Sequence, residues 1–372
     1  IYLIDNFPPE TGHTLLNNRV LKTLDKLAQD GPDVFYSGEI ADSIEAVMFK
    51  YGGGLRKSDL MAYQPEELKP VRGTYRGYEI FSATPPQSGI TVIEILNILE
   101  CQDLSEMGDY TTSPSTFHFM AEAMKRGYAD RSQYLSDPNF NTVPVNILIS
   151  KKYAMSRFRT INMDMAVPSK PKETSPGDLT PYLHHEDRDG STTHISVIDA
   201  SGNAVSLTQT LNRFWGSGIS VCGILLNNGM TGFSAGGQIN QISSNRQPRT
   251  TIAPSMLFKN GELIMVIGSP GAGRIISTIV EVICNVIDFG KGADEANIAP
   301  RFCSRKSSNT LPVEARFSPD FLETIKSMGH PIEVLGEMDL YFGGVQLILV
   351  DQQKGVLTGS SDPRRSGSVS GY

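Results

Sequence analysis

The sequence has 372 residues, 39% of them hydrophobic and 20% charged, with no low-complexity tract. That is enough apolar side chain for one large core or two ordinary ones, and it excludes a disordered chain. The net charge of −7 argues against a nucleic-acid partner, and the longest apolar run, residues 275–287, falls short of the roughly 20 residues of a membrane-crossing helix.

The first residues, Ile1-Tyr2-Leu3-Ile4-Asp5, resemble neither a translation start nor a signal peptide, and the true N-terminus is expected to precede them. Leucines at 21, 24 and 27 predict an amphipathic helix over 16–30, opened by Asn17 or Asn18 and stopped at Gly31-Pro32. A second helix is expected over 38–51, ending at Gly52-Gly53-Gly54. Residues 68–82 alternate like a strand pair, and Thr84-Pro85-Pro86-Gln87-Ser88-Gly89 turns into a helix from 90 to about 100. Residues 114–131 read as a further helix. The stretch 164–191 has no periodicity and is expected to be an exposed loop that tolerates cutting. Its His184-His185-Glu186-Asp187 run reads as solvated linker, not a metal site.

From residue 192 the character changes. Thr192–Ile198 and Ala204–Leu211 alternate as two strands joined by Asp199-Ala200-Ser201-Gly202-Asn203, a type I turn with glycine at the left-handed bulge position. That turn pairs Asp199 with Asn203, which sets Thr192 opposite Thr210 with Asn212 diagonal to it. His194 and Ser196 share their face. Ile195, Val197, Val205, Leu207 and Leu211 line the other, which is expected to be the core face. A strand over 257–267 leads through Gly268-Ser269-Pro270-Gly271-Ala272-Gly273 into a helix near Arg274, and 345–350 with 355–360 forms a closing hairpin. The cysteines (Cys101, Cys222, Cys284, Cys303) are widely spaced among apolar neighbours and read as buried free thiols. Mixed helices and antiparallel strands predict an α+β layered fold.

A threonine hydroxyl is a weak nucleophile until a base takes its proton. Were the chain cut before Thr192, its new α-amino group, with a pKa near 8, would lie beside the hydroxyl and could be that base. On spacing alone, threonines chosen for β-propensity are the better explanation of the hairpin.

The sequence resembles the γ-glutamyltranspeptidase family from Asn17 to Tyr372. In the first part the resemblance is carried by Phe35-Tyr36-Ser37-Gly38, Pro85-Pro86-Gln87-Ser88-Gly89, Tyr128-Ala129-Asp130-Arg131 and Tyr134-Leu135-Ser136-Asp137-Pro138. In the second it is carried by Thr192-Thr193-His194-Ile195-Ser196-Val197, Thr210-Leu211-Asn212, Gly268-Ser269-Pro270-Gly271 and Ser361-Asp362-Pro363-Arg364. The resemblance implies a four-layer αββα sandwich of the N-terminal-nucleophile hydrolase type. It implies cleavage between Ser191 and Thr192, giving a large-subunit part, 1–191, and a small catalytic subunit, 192–372, in one domain. Thr192 would be the nucleophile, Thr210 its hydroxyl partner, Asn212 a substrate contact, and the Gly271 and Ala272 amides the oxyanion hole.

Thr250-Thr251 stands where the family has a serine pair holding the substrate carboxylate. The family's carboxylate-binding arginine would precede residue 1. Gly229 and Gly232 replace an amide or acid and an aspartate that bind the donor's α-amino group, so a glutaryl-type acylase stands beside γ-glutamyl transfer, with a non-catalytic binding relative as a third reading. Arg249 replaces an apolar residue and is a candidate for a second carboxylate. The link from 233 to 248 is short and polar, and is expected to be mobile over an open pocket. His194 is expected to be structural; Trp215 either walls the pocket or packs. The implied reaction uses a small γ-glutamyl or acyl amide, with water or an amino acid or peptide as acceptor, and no cofactor or metal. Self-association and compartment stay open.

Overall fold

The computed structural model describes residues 7, 9–10, 12–166, 190–234, 238–305 and 310–372. Most of the 164–191 segment, with its His184-His185-Glu186-Asp187 run, lies outside the described residues. The chain forms two compact units: residues 1–68 with 213–228, and residues 69–212 with 229–372. Neither boundary coincides with residue 191.

In chain order the first unit carries α1 (Asn18–Asp30), α2 (Asp33–Tyr36), α3 (Glu39–Tyr51) and α4 (Lys57–Ala62). Asn17 caps α1 by accepting from the Val20 N–H, and Gly31 ends it; Gly52 ends α3 at φ 73°. The second unit opens with β1 (Val71–Tyr75) and β2 (Tyr78–Ser82). There follow α5 (Gly89–Leu99), α6 (Leu104–Met107), α7 (Pro114–Tyr134), α8 (Val145–Leu148) and α9 (Lys151–Phe158), then β3 (Gly190–Ile198) and β4 (Ala204–Arg213). The short β5 (Ser220–Val221) and β6 (Ile224–Leu225) return to the first unit, where Val221 packs with Ile40 and Ile44 of α3. The second unit resumes with β7 (Ser255–Lys259), β8 (Glu262–Gly268), α10 (Ile275–Ile287), α11 (Ala293–Ile298), β9 (Leu311–Glu314), α12 (Pro319–Ser327), β10 (Ile332–Leu335), β11 (Gln346–Asp351) and β12 (Val356–Ser361). Among the described residues no helix is long and apolar enough to cross a membrane.

Six strands form one antiparallel sheet in the order β1-β2-β7-β8-β11-β12. Its Ile80, Leu257, Met265, Ile267 and Leu347 join Ile93 and Leu96 of α5 and Ile276, Ile279 and Ile283 of α10 in one buried core. On the opposite face, β3 packs across β8 and β11. Helices, sheet and hairpin are thus successive layers of an α+β sandwich.

Three expectations are corrected. The single strand over 257–267 is a hairpin, because Asn260 (φ 53°) and Gly261 (φ 84°) both take the left-handed conformation of a type I′ turn. Cys284 and Cys303 are buried free thiols, but Cys101 and Cys222 are only half-buried. The third correction concerns the faces of the β3–β4 hairpin and is described with the site.

A buried histidine pair fastens α7 to the segment leading toward residue 166. His118 Nε2 lies 2.7 Å from the Asn162 carbonyl, to which it can only donate, so its Nδ1 accepts from His330 Nε2 at 2.8 Å. Burial, with His118 beside it, pushes the His330 pKa down to about 4. An unfolded histidine titrates near 6.5. The folded state therefore keeps this contribution above pH 6.5 and loses it as pH falls toward 4, by roughly 3 kcal/mol in all. Urea midpoints measured from pH 7 to 4.5 should fall, and His330→Gln should flatten that slope.

Candidate active site

The turn Asp199–Asn203 closes as the sequence dictates. The Gly202 N–H donates to the Asp199 carbonyl at 3.0 Å, and Asp199 Oδ1 accepts from the N–H groups of Ser201 and Asn203 at 2.9 and 2.8 Å. The resulting register sets Thr192 against Thr210 and His194 against Thr208, and each pair is hydrogen-bonded, at 3.0 and 2.7 Å. The sense of the hairpin is the reverse of that expected. Thr192 and His194 are buried at 6% and 4% exposure, whereas Ile195, Val197, Val205 and Leu207 are exposed.

The reason lies in the sheet beneath. Gly268 leaves a gap in β8, and the His194 ring fills it so closely that a Cβ there would stand 2.2 Å from the imidazole. Every polar group on the docked face then finds a partner, which removes the cost of burying it. Ser196 Oγ donates to the Gln346 carbonyl and Ser206 Oγ to the Ile267 carbonyl, at 3.2 and 3.1 Å. His194 has both ring nitrogens engaged, with Thr208 and with Ser196 at 3.0 Å, and burial pushes its pKa down to about 4. It is a neutral structural histidine and not a base for Thr192.

From Thr192 a chain of polar contacts runs outward. Its hydroxyl donates to Thr210 Oγ1; Thr210 Oγ1 accepts from the Asn212 N–H at 2.8 Å; and Asn212 Nδ2 donates to Thr231 Oγ1 at 2.6 Å. Asn212 sits at φ 76°, a left-handed conformation that asparagine tolerates. Thr231 lies in the 3₁₀ turn Gly229–Gly232, so the nucleophile strand is wired to the segment in which the family's amine-binding side chains are replaced. β3 runs unbroken through Ser191 and Thr192.

Gly271 and Ala272, at φ 135° and 48°, make the turn that opens α10. Gly271 has to be glycine, since a Cβ would stand 2.8 Å from the Gly343 Cα. Ala272 touches the head of β3: a Cβ on Gly190 would lie 2.9 Å from its amide nitrogen. Two amides of this turn stand at a helix N-terminus beside the head of β3, an environment that favours negative charge.

Thr250 and Thr251 precede β7 at the same end of the sheet, where Ser82, Ser255 and Ile267 meet. The Thr250 N–H donates to the Pro86 carbonyl at 3.0 Å, and its own carbonyl accepts from Ser88 Oγ. Arg249 Nη1 donates to the Ser132 carbonyl at 3.0 Å, and its N–H donates to Asn240 Oδ1 at 2.9 Å. Sequence reasoning passed over Arg131, whose Nε donates to Ser88 Oγ at 2.8 Å and whose pKa is pushed down to about 9 by burial and by neighbouring Arg249. Among the described residues no carboxylate lies within ion-pair distance of either guanidinium. The Tyr128-Ala129-Asp130-Arg131 run was the available signal. Among the described residues of the 233–248 link, buried Asn240 donates to the Gly232 carbonyl at 2.8 Å, and the Gln247 N–H donates to Asp137 Oδ2 at 2.8 Å. Trp215 is 54% exposed and belongs to the first unit.

The layered fold places the chain among the N-terminal-nucleophile hydrolases. More narrowly, it belongs to the γ-glutamyltranspeptidase family, whose model, described as Gamma-glutamyltranspeptidase, matches residues 1–372. It is 41% identical to the glutathione hydrolase proenzyme of Escherichia coli K12, covering 98% of this chain and 63% of that protein. It is 33% identical to the acylase ACY 1 proenzyme of Pseudomonas sp. SE83, covering 97% of this chain and 62% of that protein. The solved cephalosporin acylase of Bacillus halodurans superposes with a TM-score of 0.86 at 30% identity, over 99% of this chain and 65% of that one. The chain therefore spans slightly less than two thirds of the length of these relatives.

Gly268→Ala should force the His194 ring out of its seat. Overpacking of this kind costs about 1–3 kcal/mol, and the melting temperature should fall, whereas Gly54→Ala, whose Cβ would meet open space, should leave it unchanged.

Proposed function

We propose that this chain is a self-processing threonine amidohydrolase and acyltransferase that cleaves γ-glutamyl or related acyl amides through an acyl-Thr192 ester. The observation that carries the reading is the Thr192–Thr210 hydroxyl pair, with Thr192 buried near the head of β3, which meets the Gly271-Ala272 turn at Gly190. In maturation, Thr192 Oγ attacks the Ser191 carbonyl carbon, the amide nitrogen leaves as the Thr192 amine, and water hydrolyses the resulting ester to a Ser191 carboxylate. The products, 1–191 and 192–372, are large and small subunits. The common core, which draws α5 and α7 from one and β8 and α10 from the other, supports their staying together.

In turnover the freed amine takes the Thr192 hydroxyl proton, the oxygen attacks the substrate carbonyl, and the Gly271 and Ala272 N–H groups hold the oxyanion. The leaving amine carries away the proton. Water then releases the acid, or an amino acid or peptide amine takes the acyl group. Because the base is an α-amino group, kcat/KM of the cleaved protein should rise with pH through about 8, and the neutral His194 adds no inflection between pH 5 and 8. Thr192→Ala should remain one band on a denaturing gel and be inactive; a mutant that still splits at residue 191 would remove self-processing from the account.

Gly229 and Gly232 favour an acyl group without the α-amine. A buried ammonium left without a charged partner loses roughly 1.5–3 kcal/mol, or about ten- to hundredfold in recognition. Arg131, Arg249, Thr250 and Thr251 supply cationic and hydroxyl donors for substrate carboxylates. Glutaryl anilides should thus be turned over at least as well as γ-glutamyl anilides. Gly232→Asp should shift the ratio toward γ-glutamyl, although its Cβ would lie 3.2 Å from Pro248 Cβ and the neighbour has to give slightly. A hundredfold wild-type preference for γ-glutamyl donors would overturn the acylase reading.

A further inference from the structure

The tail after β12 is fixed by a buried charge network. Asp362 pairs with Arg301 at 2.6 Å and with Arg364 at 3.1 Å, and its Oδ2 accepts from the Val345 N–H at 3.0 Å; Arg364 in turn pairs with Glu314. The Arg365 N–H donates to the Asp362 carbonyl at 3.1 Å, which anchors the next residue to that network. The Arg365 stem lies over Gly344, where a Cβ would come within 2.8 Å of its Cγ. From there its guanidinium reaches β3 and donates to the Gly190 carbonyl at 2.9 Å.

That carbonyl belongs to the peptide immediately before the Ser191–Thr192 bond. Gly190 has no side chain to hold it, and glycine is the residue with the greatest backbone freedom. Three features nevertheless bracket the bond: Arg365 grips the carbonyl on the upstream side, Ala272 occupies the space a Gly190 side chain would need, and Thr210 holds the Thr192 hydroxyl on the downstream side. Intramolecular attack of Thr192 Oγ on the Ser191 carbonyl carbon depends on just this placement, and a displacement of about 1 Å costs on the order of a hundredfold in rate.

We infer that Arg365 is a positioning residue for self-cleavage, clamping the Gly190–Ser191 peptide from the C-terminal tail so that the next carbonyl faces the Thr192 hydroxyl. The inference rests on the self-processing reading above. It makes Arg365 specific to the precursor, since once the bond is cut the Gly190 carbonyl no longer has to be aligned with the nucleophile.

The test follows the appearance of the two fragments on denaturing gels for purified wild type, Arg365→Ala and Arg365→Lys. Loss of one charged hydrogen bond should slow cleavage of Arg365→Ala about ten- to hundredfold. Lysine should restore part of the rate, and millimolar guanidinium should accelerate the alanine variant but not the wild type. Once cleaved, Arg365→Ala should turn over glutaryl anilide within about twofold of wild type, and adding it to Thr192→Ala should not lower the melting temperature of that uncleavable chain. Cleavage of Arg365→Ala at the wild-type rate overturns the inference. So does a slowed cleavage matched by an equal loss of turnover or of melting temperature. Cleavage of Thr192→Ala at residue 191 would sink the self-processing reading itself, an outcome separate from either.

Discussion

The second unit depends on one docking event: the polar face of the β3–β4 hairpin lying down on the antiparallel sheet, with His194 seated in the gap left by Gly268. A hairpin of alternating residues can bury either face. Here the polar one goes in because each hydroxyl and both imidazole nitrogens find partners on the neighbouring strand or on the carbonyls of Ile267 and Gln346. A satisfied polar network of this kind specifies a single arrangement more strictly than an apolar contact would, because any shift of register leaves buried groups unpaired. The nucleophile inherits that rigidity, since Thr192 is two residues from His194 on the same face.

Around this fixed hairpin the candidate site divides into a half that keeps the residues the family resemblance implies and a half that departs from them. In the proposed function, the Thr192–Thr210 pair and the turn into α10 supply what acyl transfer requires of any substrate: a nucleophile, its orientation and amide donors. Under that proposal, the part carrying Gly229, Gly232, Arg249, Thr250 and Thr251 selects which acyl group enters. There Arg249 stands close enough to Arg131 to depress its protonation, and among the described residues no carboxylate lies within ion-pair distance of either guanidinium. Under the function proposed above, the loss of acidic groups and the gain of a basic one both favour acyl groups that are anionic and lack an amine.

Local signals were legible in the sequence wherever a turn or cap fixes them. Asn17 and Gly52 mark helix ends, and the Asp199–Asn203 turn gives the pairing of Thr192 with Thr210 to the residue. The orientation of the hairpin was not legible, because alternation defines two faces but not which one meets the sheet. The Asn260-Gly261 hairpin was hidden in what reads as one apolar run, although that dipeptide is the strongest short-range turn signal available. The contacts of Arg131 with Ser88 and of Arg365 with Gly190 join residues far apart in the chain and leave no periodic trace, so only the folded structure brings them together.

The order in which these parts are synthesised sets a schedule. Thr192 emerges from the ribosome before the strand that pairs with it, before Gly268 and the α10 turn, and well before β11 and the tail that grips Gly190. The sheet itself cannot close until β7 arrives to join β2, a pairing of high sequence separation and correspondingly slow formation. Under the proposed self-cleavage, a nascent chain therefore carries the bond to be cut long before it carries the residues that would position and cut it.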